Sequence, residues 1–186
     1  MTALLAPAVV FYGIRRGDDF YAGFSRPASL LTALMLTLST AALVWAFQTD
    51  DFCVAYVANH SNTKLAPAYK AAALWGSHEG SMLLWIWLMA VGTAGAGFVR
   101  CADRLFTAGL QGLMLAVLAG FCAFLLFTSN PFLRNLPMVP PDGRDLNPIL
   151  QDIGMILHPP VLFMGYAGLA LMFAAMCALL LSGRWS

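Results

Sequence analysis

Long apolar runs alternate with shorter polar segments along the 186-residue chain. Five runs predict membrane helices, at residues 1–14, 27–47, 81–99, 105–127 and 158–181. The last four are each near the length of roughly 20 residues that crosses the hydrocarbon of a bilayer, and none has Asp, Glu, Lys or Arg in its interior. Backbone groups in lipid must be bonded within their own segment, so these runs should be helical. The pattern therefore predicts an all-α fold, a polytopic transmembrane helical bundle of about five membrane helices.

Two long loops, at residues 48–80 and 128–157, separate these runs and are expected to carry short interfacial helices. In the second loop Asn147 reads as a helix N-cap, and the apolar residues of 149–157 recur at helical spacing. They predict a short amphipathic helix on the membrane surface. A similar piece is expected over residues 66–75. Because a residue before proline avoids the helical region, His158 is predicted to stand just outside the last helix, which Pro159 begins.

Basic residues are denser in the short segments than in the two long loops. The short segments contain Arg15, Arg16, Arg26, Arg100, Arg104 and Arg184, and the long loops contain Lys64, Lys70, Arg134 and Arg144. Basic charge near membrane helices marks the cytoplasmic side. We therefore expect the short segments to be cytoplasmic, and both long loops and the N-terminus to lie outside.

Composition supports a membrane protein: 60% of the residues are hydrophobic and only 10% are charged, against about 25% charged in soluble domains. Membrane lipid is the expected surrounding. No nucleic-acid partner is expected, and the net charge of +1 does not indicate one. The 4 cysteines form no C-x-x-C motif, which excludes a c-type cytochrome or a thioredoxin-like reductant.

The chemistry available to this sequence lies mainly in its 3 histidines, because neutral imidazole is a ligand for metals and haem iron. No catalytic residue is predicted. His158 is the first candidate ligand for iron, with an end-of-helix interfacial histidine as the alternative reading. His78 is a second, weaker candidate; with its neighbour Glu79 it could equally form a pair that anchors a helix end. His60 lies in a polar segment that indicates no fixed geometry.

Several motifs, in order, resemble those of the CcmF/NrfE haem lyase family. WGSHEGSMLLW is similar to the family's WGGHEGS segment, with Ser77 replacing a glycine. The segments LLFTSNPF, DGRDLNPILQD and HPPVLFMGY resemble the family's next motifs at similar spacing, and DDFCVAYVANHSN resembles its first outer loop. The likeness extends from about Asp50 to Gly183.

The resemblance implies a protein of the bacterial inner membrane, or of the mitochondrial inner membrane, that serves cytochrome c maturation. Such a protein takes haem b from the chaperone CcmE and joins it to reduced thiols of apocytochrome c, together with CcmH-type proteins. The histidine of the HPP motif, here His158, is implied to be an outer axial ligand of the haem.

The family's tryptophan-rich WWD segment and its other haem-binding histidines correspond to positions after Ser186. The remainder of the haem lyase is therefore an expected partner, and these residues by themselves are expected neither to retain haem nor to form thioethers. A split subunit, a truncated product and a fragment of a longer chain all fit the sequence, as do the CcmF and NrfE subtypes. A structural assembly subunit without haem contact is the alternative function, followed by a transporter fragment.

Overall fold

The computed structural model describes residues 2–99 and 103–182. Eight α-helices occur in these ranges: α1 (Thr2–Arg16), α2 (Asp19–Gly23), α3 (Ser25–Gln48), α4 (Ala55–His60), α5 (Pro67–Ala72), α6 (His78–Ala96), α7 (Arg104–Thr128) and α8 (Ile153–Ser182). Single 3₁₀ turns occur at Ala73–Trp75 and Pro148–Gln151. No strand is present in the described part of the chain, where an isolated antiparallel bridge joins Val54 to Arg134.

Three helical segments among the described residues are long and apolar enough to cross a membrane: Asp19–Gln48, Arg104–Thr128 and Ile153–Leu181. They contain the predicted spans 27–47, 105–127 and 158–181. The predicted span 1–14 corresponds to α1, which has 15 residues, and the span 81–99 corresponds to α6, which has 19 residues and ends three residues earlier than predicted. The protein is a helical membrane protein, and a total of about five crossings remains a prediction.

Large apolar side chains project from these helices instead of being buried inside the chain. Trp45 on α3 is 71% exposed, Phe127 on α7 is 88% exposed and Leu181 on α8 is 72% exposed. Such exposure would be unfavourable in water, whereas lipid tails accept it. The exposed apolar surface therefore fits helices surrounded by a bilayer.

The predicted start of the last helix is wrong. Asn147 does cap a turn, because its side chain accepts a hydrogen bond from the Ile149 amide, but that turn is a 3₁₀ turn of four residues and not an amphipathic helix. Asp152 then accepts the Gly154 amide at 2.8 Å, and α8 begins at Ile153. His158 consequently lies inside α8, which runs on through both of the following prolines.

Helix α8 continues through Pro159 and Pro160 because ending the helix in an apolar environment would leave more backbone groups without hydrogen bonds than the two prolines leave. Pro159 and Pro160 have no amide hydrogens, so the carbonyls four residues earlier, at Met155 and Ile156, lose their usual helical donors. Stopping the helix there would instead expose a full turn of unpaired groups on each side. The preference of pre-proline residues is overridden by that larger cost.

The first long loop contains more helix than predicted. The expected piece over residues 66–75 is present as α5 and the 3₁₀ turn after it. Helix α4 was not predicted, nor was α2, which Asp18 caps by accepting the Phe20 amide at 2.9 Å. The charges of Arg100 and Arg184, used for the orientation, lie outside the described residues, as do Cys101, Met1 and Gly183.

The chain forms two compact units. The first consists of Met1–Leu36, Ile86–Cys122 and Met164–Ser186, and the second of Thr37–Trp85 and Ala123–Phe163. In the first unit a buried amide, that of Gln111, joins three helices: it accepts a hydrogen bond from Ser25 at 2.9 Å and donates to Ser29 and to the Thr93 carbonyl, at 3.0 and 3.1 Å. Bonds between helices in this pattern satisfy a polar group that lipid could not.

Candidate functional site: the histidines of the second unit

The two long loops interlock within the second unit. The Ala55 amide donates to the Leu133 carbonyl and the Asn135 amide donates to the Cys53 carbonyl, both at 2.8 Å. Farther along, the Arg144 amide donates to the Ala58 carbonyl at 2.7 Å. Residues that are distant in sequence therefore form one layered structure, which fixes the segments that carry the histidines.

Asp142 forms a second link between the loops. Its carboxylate accepts the Thr63 amide at 3.1 Å and the Thr63 hydroxyl at 3.0 Å. The amides of Thr63 and Gly143, which donate to the charged form, lower the pKa of Asp142. The chain approaches so closely here that a side chain at position 143 would collide with the Ser61 carbonyl, which explains the glycine.

Tyr56 organises the segment before α6. Its buried hydroxyl lies 3.1 Å from the Leu74 carbonyl, to which it donates, and it accepts the Ser77 amide at 3.1 Å. Burial is the main cause of a raised pKa at Tyr56. Gly80 packs against the same turn, since a side chain there would collide with the Leu74 carbonyl. The turn that leads into His78 is thereby held at both ends.

His78 is the first residue of α6, and its ring is exposed. Its Nδ1 shares a 2.6 Å hydrogen bond with the hydroxyl of Ser129, which follows the end of α7. The partner that anchors this helix end is thus Ser129 and not the neighbouring Glu79. A histidine that binds a metal through Nε2 carries its proton on Nδ1 and donates it to a nearby oxygen, and Ser129 supplies that oxygen.

His158 lies in the second turn of α8 and is exposed. Its neighbours Leu157 and Val161 are 59% and 60% exposed. An imidazole flanked by exposed apolar side chains can meet a flat apolar molecule and offer it a nitrogen ligand. These surroundings suit a haem ligand. The His158 ring projects from within α8, and not from a residue just before the helix as predicted.

A stacked aromatic pair relates the two histidines in space. The rings of Trp85 on α6 and Phe163 on α8 are nearly parallel, at 20°, with centroids 6.3 Å apart. His78 precedes Trp85 by two helical turns, about 10 Å, and His158 precedes Phe163 by between one and two turns, about 8 Å. Both histidines consequently lie toward the N-terminal ends of two helices that contact each other.

His60 has the fixed geometry that the sequence did not indicate. It ends α4, and its Nδ1 lies 2.8 Å from the Tyr56 carbonyl, with the two rings 4.5 Å apart. Because a carbonyl only accepts, Nδ1 donates in this hydrogen bond. The spacing of four residues between Tyr56 and His60 is the signal that could have revealed this bond.

The described residues contain no group of three or more His, Cys, Asp and Glu side chains able to hold a metal ion. A haem iron differs from such an ion because the porphyrin supplies four of its ligands, so one or two separate histidines suffice. A single exposed imidazole, such as that of His158, is therefore enough to offer haem iron a protein ligand.

Comparisons with known proteins agree with the motifs. The model of the cytochrome C assembly protein family matches residues 75–185. The cytochrome c-type biogenesis protein CcmF of Escherichia coli K12 is 47% identical over 183 residues, which cover 98% of this chain and 28% of the relative. CcmF of Pseudomonas aeruginosa is 44% identical with the same coverage. NrfE of Haemophilus influenzae is 44% identical over 179 residues, covering 92% of this chain and 28% of NrfE.

A solved structure titled cytochrome c heme lyase CcmF superimposes with a TM-score of 0.83 at 25% identity, over 99% of this chain and 29% of that one. The chain thus spans less than a third of the length of the curated relatives it matches. The similarity to both CcmF and NrfE confirms the predicted likeness.

Proposed function

Because this chain belongs to the cytochrome c assembly protein family, we propose that it is the N-terminal portion of a haem lyase that matures c-type cytochromes. The observation that carries the proposal is the exposed imidazole of His158 in the HPP motif, on a helix that contacts the one begun by His78. His158 is assigned as an outer axial ligand of the incoming haem. His78 is assigned a lesser role at the same helix pair.

Haem b is the proposed substrate, delivered by the chaperone CcmE and passed to apocytochrome c, with CcmH-type proteins handling the apocytochrome. The remainder of the haem lyase supplies further haem contacts. The proposed location is the inner membrane, with residues 48–80 and 128–157 in the periplasm. Their lower density of basic residues supports that side.

Haem retention by these 186 residues is expected to be low. Six-coordinate haem iron needs two protein ligands, and none of the 3 histidines lies in the middle of a predicted span. Purified in detergent, the polypeptide should show little Soret absorbance. A stoichiometric six-coordinate spectrum from it would contradict this expectation.

The function is tested by deleting the gene in a host that makes c-type cytochromes and staining denaturing gels for covalently bound haem. Loss of stained cytochromes, with apocytochrome still synthesised and exported, is the expected result. Restoration by the complete gene is the control. Normal haem staining in the deletion strain, in the absence of a second family member, would refute the proposal.

A structural assembly subunit is the second candidate, and the interlocked loops favour it because hydrogen bonds between them form one folded surface that a partner could contact. The two functions differ in haem contact. A photoactivatable haem analogue should label the segment around His158 in the assembled complex if this chain meets haem. Labelling confined to other parts of the complex would favour the assembly role.

A further inference from the structure

The first unit contains a cavity of about 600 Å³ that is lined by α2, the start of α3, the segment just after α6 and the start of α7. Its floor is buried and is formed by Ala22, Ser25, Ala108 and Gln111. Its rim is exposed and includes Arg26, Phe98 and Arg104. A recess with a closed floor and an exposed rim can take part of a molecule while the rest remains outside.

The rim has an excess of positive charge. Arg26 and Arg104 line the cavity together with a single carboxylate, that of Asp19. Among the described residues an ion pair joins Lys70 to Asp50, and none neutralises either of these arginines. Two guanidinium groups, each able to donate several hydrogen bonds in a plane, suit an oxygen-rich anion such as a phosphate.

Arg26 is held in place by an aromatic ring. Its guanidinium carbon lies 4.8 Å from the centre of the Phe98 ring. A cation above an aromatic face keeps its charge and still has its donors free at the edges. Stacking therefore limits the mobility of this side chain before any ligand binds, which lowers the entropic cost of binding.

The floor has little hydrogen-bonding capacity to offer. The Gln111 amide and the Ser25 hydroxyl are already bonded to each other and to neighbouring helices. A side chain at Gly97 would meet the Gln111 amide nitrogen at 2.7 Å, so the wall here is close-packed. An anion in the cavity would consequently be bound by the arginines of the rim and not by the floor.

The surroundings of the rim are apolar. Phe98 and Val99 are 59% and 58% exposed, and on α3 the neighbouring Leu30 and Leu31 are 39% and 42% exposed. Such an apolar surface gives a free anion nothing to bind, whereas acyl chains pack favourably against it. The cavity combines a cationic rim with an adjacent apolar surface at the end of membrane helices, as lipid headgroup sites do.

We propose that this cavity binds the phosphate of an anionic phospholipid, with Arg26 and Arg104 as the phosphate ligands and the acyl chains along the exposed faces of α3 and Phe98. The bound lipid bridges the end of α6 and the start of α7. Nothing in the proposed role in haem handling requires this site.

The test compares lipid retention by variants of the full-length natural protein, purified in mild detergent and exposed to equal parts phosphatidylglycerol and phosphatidylcholine. Native mass spectrometry then measures the lipid carried by each variant. The wild type should retain phosphatidylglycerol preferentially. Since each basic group near an anionic lipid contributes about fivefold in affinity, the double variant R26Q/R104Q should lose roughly 25-fold of that preference. Asp19→Asn should increase it, because a repelling carboxylate is removed.

The matched control is R15Q/R16Q, which removes the same charge from exposed residues that do not line the cavity; Arg16 also stacks on an aromatic ring, that of Tyr12. It should leave the preference unchanged. An equal loss in the control would show a diffuse charge effect and overturn the proposal. A third arm adds inorganic phosphate: complete displacement of the lipid at millimolar phosphate would assign the site to free phosphate and also overturn it. If R26Q/R104Q does not fold, the test rests on Asp19→Asn. In that case, unchanged phosphatidylglycerol retention by Asp19→Asn would overturn the proposal.

Discussion

The imidazole of His158 carries the proposed contact with haem at the scale of a single residue. Because His158 lies inside α8, alanine, the strongest helix former, should replace it without loss of helix stability. His158→Ala in the complete protein should therefore leave membrane insertion and abundance normal, yet reduce covalent cytochrome c haem at least tenfold, since an axial ligand is lost. Haem-stained gels and immunoblots measure the two quantities.

Ile153→Ala is the matched control for His158, because Ile153 is exposed on the same helix but points away from it, about 140° around the axis. It should support normal maturation. His158→Gly should be partly rescued by added imidazole, which can occupy the vacated ligand position. Wild-type maturation in His158→Ala would show that His158 is not a haem ligand.

Tyr56 is expected to stabilise the turn that places His78. Tyr56→Phe removes the buried hydroxyl and leaves the half-buried Ser77 amide without its acceptor, which costs about 1 kcal/mol. Hydrogen exchange at residues 74–80 should rise accordingly. Tyr69→Phe, a half-buried tyrosine of the same unit, is the control and should exchange like the wild type. Equal exchange in both variants would exclude the positioning role of Tyr56.

The sequence identifies the histidines as candidate ligands but not their surroundings. Ser129, the partner of His78, is 51 residues away in the chain, and no local pattern connects them. The bond from His60 to the Tyr56 carbonyl spans four residues and was in principle visible, but only once α4 was known to be a helix. Contacts over long separations depend on how the loops fold against each other.

At the scale of elements, hydropathy located the helices well because burial in lipid depends on composition alone. Spans 27–47 and 105–127 agree with α3 and α7 within about two residues at each end. The start of α8 was missed for a different reason. The rule for pre-proline residues expresses a local steric preference, whereas the apolar environment favours an uninterrupted helix. The short helix α2 was missed because it has only five residues.

The buried ion pair between Lys70 and Asp50 ties α5 to the end of α3. The ammonium lies 2.6 Å from the carboxylate, and the two side chains are 8% and 23% exposed. Lys70→Met leaves a mostly buried carboxylate unpaired, so it should lower the free energy of unfolding of this unit by about 3 kcal/mol. Chemical denaturation in detergent, followed by tryptophan fluorescence, measures the change.

Removing both charges should reverse most of that loss. In Lys70→Met/Asp50→Asn no unpaired charge is buried, and asparagine tolerates the positive φ of 53° at position 50. Lys64→Met, at an exposed lysine in the same loop, is the control and should be neutral. If the double variant is as unstable as Lys70→Met, the loss comes from packing and not from the unpaired charge.

Asp142 should make the link between the loops sensitive to acid. Its pKa is lowered in the folded protein, so its contribution is complete above the unfolded value of about 4 and is lost as the pH falls through the lower folded pKa. Hydrogen exchange at residues 61–65 should therefore increase below about pH 4. Asp142→Asn should remove that acid-dependent step, whereas Asp19→Asn should retain it. An unchanged step in Asp142→Asn would assign the titration to another group.

At the scale of the whole molecule, the sequence predicted the class of protein and the family, because both apolar runs and ordered motifs can be read directly from the residues. It did not predict that the second unit is a folded assembly of two loops. That assembly depends on backbone hydrogen bonds such as the one from the Arg144 amide to the Ala58 carbonyl. Almost any residue type can form such a bond, so no pattern of side chains in the sequence predicts it.

The proposed delivery of haem from outside requires both long loops to lie on the periplasmic side. The loops are tightly bonded, so a labelling site must avoid their contacts; Met138 qualifies because it is 84% exposed. Phe20, 70% exposed in α2 between the basic residues of the other side, is the opposite reporter. In a version of the protein without native cysteines, Met138→Cys should react with a membrane-impermeant maleimide in intact spheroplasts, and Phe20→Cys only after permeabilisation. The expectation rests on the basic residues of the short segments, because Lys and Arg in short loops have the greatest effect on orientation. The reverse labelling pattern would place His78 and His158 toward the cytoplasm, where a periplasmic chaperone could not reach them.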